Sequence, residues 1–138
     1  MTVRIIRYAS QYQAAVIELW IQCILLVPWN DPVEDIQKKV AFQPDLFFVA
    51  VRDGQVVGSI MVGYDGHRGW INYLAVLPRF QKQGYGRKLL ATALSELKRL
   101  NCGKVNLQVR ANNAALVAFY QHLGFQVEDR ISMGLRLR

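Results

Sequence analysis

The stretch Trp70-Ile-Asn-Tyr-Leu-Ala-Val-Leu-Pro-Arg-Phe-Gln-Lys-Gln-Gly-Tyr-Gly-Arg-Lys-Leu-Leu90 decides the fold. Its apolar run over residues 71–77 reads as a strand, and Pro78, with no N–H to give a ladder, closes it. A basic, glycine-bearing turn follows, and from there apolar positions recur at Leu89, Leu90, Ala93, Leu94, Leu97 and Leu100, the spacing of an amphipathic helix. A strand, a glycine turn and a helix start make a natural anion site. The first amides of a helix lack partners within it, and the helix dipole adds partial positive charge there. Glycines let a phosphate or diphosphate come close to the main chain.

Spacing narrows the choice of ligand. Gly84-Tyr85-Gly86 is followed by Arg87, Lys88 and Leu89, so the third glycine of a dinucleotide fingerprint is missing. No Gly-Lys-Ser/Thr stands at the helix start, which excludes the nucleotide-triphosphate loop. What remains is Gln81-x-x-Gly84-x-Gly86 behind a Val76-x-Pro78 strand end.

The rest of the chain supplies the frame. Residues 3–8 read as a first strand, and Ser10 with Gln13 has the form of a capping box before a helix with Ile17, Trp20, Ile21 and Ile24 on one face. Asp31 suits the N-cap of a second helix, with Pro32 at its first position and Glu34 at its third; Pro44 stops it. Residues 46–51 form a continuous apolar run, read as a strand buried on both faces. Asp53-Gly54 turns it into a partner strand over 55–64. After the long helix, alternation over 104–110 predicts a strand parallel to the one ending at Leu77, because the connection is a crossover. Asn113 opens a last helix that Gly124 ends, and residues 125–127 and 131–137 read as a closing hairpin. The predicted order is βααβββαβαββ, an α/β (α+β) fold with a central mixed sheet flanked by helices, one domain over residues 1–138.

Composition bounds the function. The apolar fraction is 52%, the charged fraction 20% and the net charge +7, a basic balance that favours anionic partners. The basic residues are spread along the chain, and no helix-turn-helix or base-stacking signature accompanies them, so nucleic acid is not expected. Cys23 and Cys102 make no metal-ligand spacing, and no metal is expected. No apolar stretch reaches membrane-spanning length and the first residues lack a signal-peptide core, so a cytoplasmic protein without membrane association is the expectation.

Two motifs carry a resemblance. The Gln81-x-x-Gly84-x-Gly86 turn is similar to the acetyl-CoA loop of the GNAT superfamily of N-acetyltransferases. Asn113-x-x-Leu116-x-x-x-Tyr120-x-x-x-Gly124-Phe125 resembles a second signature of that superfamily, with Leu116 where alanine is usual. Order and separation of the two agree as well, and the likeness covers nearly the whole chain, extending to a little-characterised bacterial subgroup. It implies the GNAT acyl-CoA N-acyltransferase fold and an enzyme that moves an acetyl group from acetyl-CoA to a primary amine, on a small molecule or a protein, by direct attack on the thioester. The alternative it leaves is a non-catalytic acyl-CoA-binding module.

By the same resemblance, the main chain of Leu74, Ala75 and Val76 pairs with the pantetheine arm. The residues Gln81, Lys82, Gln83, Gly84, Tyr85, Gly86 and Arg87 hold the pyrophosphate, Asn113 hydrogen-bonds the arm, and Tyr120 is the catalytic acid at the sulfur. An amine attacking a thioester builds an oxyanion that a main-chain amide of a bulged strand end can stabilise, and the departing thiolate benefits from a proton donor such as a tyrosine hydroxyl. Many relatives carry a glutamate on the central strand, where this chain has Asn72 and Tyr73. The base is therefore open, with Asp31, Glu34, Asp65 and His67 as candidates. Acceptor contacts are expected from Trp29, Asp31, Tyr64 and His67, and Trp29 equally suits a homodimer contact.

Overall fold

The computed structural model describes residues 2–137 of the chain. Chain contacts divide it into two compact units, Met1–Leu107 and Gln108–Arg138.

The first unit is a five-stranded sheet with three helices. Strands β1 (Val3–Arg7), β2 (Phe47–Arg52), β3 (Gln55–Tyr64), β4 (Gly69–Val76) and β5 (Val105–Leu107) lie side by side in that order. The first four form an antiparallel meander, and β5 joins β4 in parallel across residues 69–71. The parallel pair is the one that the crossover helix dictates. Helix α1 spans Gln13–Gln22, α2 Pro32–Phe42 and α3 Tyr85–Arg99. In β3 the Cβ position of Gly58 points at Leu89 of α3, while the next side chain, Ser59, meets Trp20 of α1. Neighbouring residues of a strand face opposite ways, so α1 and α3 cover opposite faces of the sheet. The core between them comprises Trp20, Phe47, Val49, Val57, Ile60 and Val62 on one side or the other of the strands, with Leu89, Ala93 and Leu97 from α3. The uninterrupted apolar run of β2 fits this sandwiching, for both of its faces are buried.

Local signals hold in α2 and in the β2–β3 turn. The Asp31 carboxylate accepts from the amides of Val33 and Glu34, Pro32 stands in the first turn, and the helix ends at Phe42. Asp53 and Gly54 both take positive φ, as a tight hairpin turn requires.

Other expectations are corrected. Ser10 lies in a short 3-10 turn, Ser10–Tyr12, and α1 begins behind Tyr12 with no side-chain cap. The buried stripe of α1 is Val16, Leu19 and Trp20, whereas Ile21 and Ile24 are exposed. The helix is apolar nearly all round, which leaves its orientation to the surface it packs on. Ile24 stands beyond its end, in a left-handed turn. The closing hairpin over 125–127 and 131–137 is absent from the described residues, so the element order stops at the last helix. Alternating Ile131, Met133, Leu135 and Leu137 supply a strand-like face, but a strand also needs a ladder partner, and here these side chains are exposed. No helix among the described residues is long and apolar enough to cross a membrane.

The second unit carries helix α4 (Ala114–His122), with Asn113 as its N-cap, accepting from Leu116 N at 3.1 Å. Gly124 follows it at φ +99°, the left-handed exit that glycine permits.

Candidate active site

The turn between β4 and α3 is held open at its helix end and tied down at its strand end. Leu77 N donates to Val57 O at 2.8 Å, so by antiparallel alternation the main-chain groups of Val76 face away from β3. The Val76 carbonyl accepts from Gln81 Nε2 at 2.9 Å and from Cys23 Sγ at 3.3 Å. Burial raises the Cys23 thiol above its ordinary range, which keeps it a donor. Pro78–Phe80 then makes a 3-10 turn, and the backbone passes through left-handed conformations at Lys82 (φ +63°) and Gly84 (φ +85°) before α3 starts. Gly84 has no side chain to cap the helix. Among the described residues nothing accepts from the amides of Tyr85, Gly86 or Arg87. Gln81, Lys82, Gln83, Gly84, Arg87 and Lys88 are all exposed around this end. Main-chain donors, dipole and basic side chains together fit a diphosphate.

Arg52, at the end of β2, braces this turn. Its Nη1 donates to Tyr85 Oη at 3.2 Å and Gln83 Oε1 at 3.4 Å, and its guanidinium lies 5.0 Å from the Phe80 ring centre. The Tyr85 side chain is buried, so that residue offers a ligand its amide, not its ring.

Beside the turn, β4 is bulged. Ser59 pairs with Ala75 but Met61 pairs with Asn72, which leaves one extra residue on β4 at Tyr73–Leu74. Tyr73 sits there at φ +52°, a strained setting for a bulky side chain. Three contacts hold it. Its ring stacks on Trp20 at 3.8 Å, its carbonyl accepts from Ser59 Oγ at 2.8 Å, and its hydroxyl donates to Asp35 Oδ2 at 2.7 Å. The fully buried Ser59 hydroxyl in turn accepts from Trp20 Nε1 at 3.0 Å. Burial, then the Asp35 carboxylate, push the Tyr73 hydroxyl well above its ordinary range, so it remains a donor. Because β5 pairs with β4 only at residues 69–71, no strand of the described residues occupies that edge of β4 at Leu74, Ala75 and Val76.

The bulge opens on a shallow, solvent-open cavity of about 380 Å³ between α2 and the sheet, lined by Asp35, Lys38, Lys39, Met61, Asn72 and Tyr73, with exposed Phe42 at its side. Lys39 Nζ donates to Val62 O and, at 3.4 Å, to Gln43 Oε1. Burial pulls its pKa down to about 8. Lys38 pairs with Glu34 at 3.0 Å. Among the residues lining this cavity, Asp35 is the sole carboxylate.

The residues expected at the acceptor side are not those that line this cavity. Asp31 is engaged as the cap of α2. Tyr64 exchanges main-chain bonds with the Gln43 amide, at 3.2 and 2.8 Å. His67 stands in an exposed turn built on Asp65, whose Oδ1 accepts from the His67 and Arg68 amides at 2.7 Å and is thereby held below its ordinary pKa. Trp29 is exposed. Sequence reading took Trp20 only as a core residue of the first helix and gave no site role to Arg52, Ser59 or Asp35. Only Ser59 left a trace, a lone hydroxyl within the apolar run of β3.

In the second unit Tyr120 is buried, its ring meeting Phe119 and Phe125 edge-on with centres 5.2 and 5.3 Å away. Burial pushes its hydroxyl up to about 12, so it is a proton donor through the neutral range. The Asn113 side-chain oxygen caps α4, and among the described residues its NH₂ donates to none.

The chain is similar to known proteins in sequence and in fold. The profile of the acetyltransferase (GNAT) family matches residues 14–125. An acetyltransferase of Pectobacterium atrosepticum is 46% identical over 123 residues, 89% of this chain and 87% of that protein. One of Sodalis glossinidius is 43% identical over 138 residues, 99% and 96% of the two chains. Among solved structures, the PaiA N-acetyltransferase of Thermoplasma acidophilum in complex with coenzyme A superposes with a TM-score of 0.77, at 21% identity over 95% of this chain and 94% of that one. An aminoglycoside N-acetyltransferase in complex with CoA gives 0.79 at 18% identity, over 99% and 96%. At such identities these two likenesses are of fold.

Proposed function

The chain belongs to the acetyltransferase (GNAT) family, and from that premise we propose that it carries an acetyl group from acetyl-CoA to a primary amine by direct attack, with residues 1–138 acting as one domain. The observation that carries this reading is the uncapped start of α3 behind left-handed Lys82 and Gly84, next to the edge of β4 at residues 74–76 that no strand of the described residues pairs with. When bound, the cofactor supplies an activated acyl thioester. The amides of Tyr85, Gly86 and Arg87, with the turn from Gln81 to Gly84, hold its diphosphate. The outward main-chain groups of Leu74 and the Val76 amide, with Ala75 between them, would align its arm like an added strand; the Val76 carbonyl is already taken by Gln81 and Cys23. An amide of the β4 bulge would be the donor to the carbonyl oxygen where negative charge develops. Tyr120 would supply a proton to the departing sulfur, and Asn113 would hydrogen-bond the arm.

Calorimetry with coenzyme A and acetyl-CoA, followed by thiol release over a panel of amines, tests the reading. Binding with release is the expected result. Failure to bind at millimolar concentration overturns it, and binding with no release from any amine leaves an acyl-CoA-binding module.

A further inference from the structure

We propose that Asp35, carried into the cavity by α2 and held there by the Tyr73 hydroxyl, is the carboxylate that receives the acceptor amine and takes its proton, and that the acceptor is an amine on an apolar or anionic body, not a polycation. The inference rests on the acetyl-transfer reading above.

The central strand of this chain has no carboxylate beside the bulge, where Asn72 and Tyr73 stand. The fold supplies one from the neighbouring helix instead. Asp35 lies in the first turn of α2, where an acidic residue is ordinarily explained by the helix dipole. A dipole partner needs no further contact. Here one carboxylate oxygen accepts from Tyr73 at 2.7 Å, and the residue lines the cavity against that strand. The Tyr73 bond fixes Oδ2, leaving Oδ1 available to an amine. Its donor is the residue at the bulge itself, so the strand distortion and the carboxylate are set by one side chain.

The step balances without any further reactant. A neutral amine forms its N–C bond to the acyl carbon, the C–S bond breaks, and the sulfur leaves with the electron pair. The nitrogen becomes strongly acidic as the bond forms, so a carboxylate within reach can accept its proton. One proton leaves nitrogen for Asp35, and one reaches the sulfur from its own donor; proton return through solvent restores both groups. The acceptor class follows from the other walls. Lys39, its Nζ held by Val62 O and Gln43 Oε1, adds an amine beside the one carboxylate, the Lys38 charge is balanced by Glu34, and Phe42 and Met61 add apolar surface. A second and third positive charge on the acceptor would meet repulsion, whereas a carboxylate or an alkyl body would not.

The test uses the full chain with acetyl-CoA and four probes: an alkylamine, an amino acid, a tripeptide with a free N-terminus, and spermidine. For Asp35→Asn, kcat/KM for the best single-amine probe is expected to fall about 10²-fold or more, with acetyl-CoA affinity kept within about twofold. Tyr73→Phe keeps the ring on Trp20 and should lower kcat about tenfold with little change in KM. It also serves if Asp35→Asn is poorly folded by circular dichroism. Asp35→Asn activity within about threefold of the parent overturns the role of Asp35, as does an unaltered kcat in Tyr73→Phe. Preference for spermidine overturns the acceptor class. If the parent binds no acetyl-CoA, the acetyl-transfer reading itself falls and takes this inference with it; if it binds and turns over but the variants are unaffected, only the inference falls.

Discussion

Ser59 Oγ donates to the Tyr73 carbonyl at 2.8 Å, and this bond reaches across two strands to hold the one strained residue of the bulge. The same oxygen accepts from Trp20 Nε1, so a single hydroxyl on β3 joins the α1 face of the core to the distortion of β4. Since strained backbone persists only when its surroundings over-determine it, the bulge depends on this inner relay.

Removing the relay should be costly. Ser59→Ala leaves a buried indole N–H and a buried carbonyl without their partner, for an expected loss of about 2–4 kcal/mol in urea unfolding. Catalytic turnover should fall with it, as Tyr73 relaxes. A loss below about 0.5 kcal/mol would show that the bulge is held from elsewhere.

Gly58 is fixed by close approach. A Cβ there would lie 2.9 Å from both the Ala75 carbonyl oxygen and Leu89 Cδ1. Leu89 can turn aside but the β4 main chain cannot. Gly58→Ala should therefore cost about 1–3 kcal/mol, read by chemical denaturation, and weaken coenzyme A binding because β4 is displaced.

Arg52 is predicted to matter for the cofactor without touching it. Arg52→Ala frees the Gln83 and Tyr85 side chains from their common donor and takes the cation off Phe80. Coenzyme A affinity by calorimetry should drop about 3–10-fold, the order of one or two neutral hydrogen bonds, with the fold intact by circular dichroism.

Lys39 should imprint a pH dependence on stability. Burial lowers its pKa from 10.5 to about 8. Below pH 8 both folded and unfolded chains carry the charge, and the full burial penalty is present. Between 8 and 10.5 the unfolded chain binds the extra proton, so stability rises with pH, and above 10.5 the penalty is gone. Thermal unfolding across this range should show that rise, and Lys39→Met should remove it.

Tyr120→Phe keeps the ring against Phe119 and Phe125 and deletes only the donor. With chemistry made rate-limiting by a good amine, kcat should fall by roughly 10²-fold. Unchanged turnover under those conditions would remove Tyr120 from the reaction.

Two kinds of information separate cleanly in this chain. Asp31-Pro32, Asp53-Gly54 and Gly84 act through bonds and torsions within a few residues, so their caps and turns are legible from sequence. The strand-turn-helix segment belongs to the same class, as does the parallel crossover that any such helix imposes. The exposed face of α1, the missing closing hairpin and the cavity beside β4 belong to the other. Each depends on what lies across space: which surface Val16, Leu19 and Trp20 meet, whether a ladder partner stands beside Ile131 and Leu135, and that Asp35 accepts a hydrogen bond from Tyr73, 38 positions away. Periodicity reports how a segment distributes its own side chains and is silent about its neighbours. Local torsions and amides thus wrote the glycine turn before α3 into the sequence, while only tertiary packing could bring a helix carboxylate to a bulged strand.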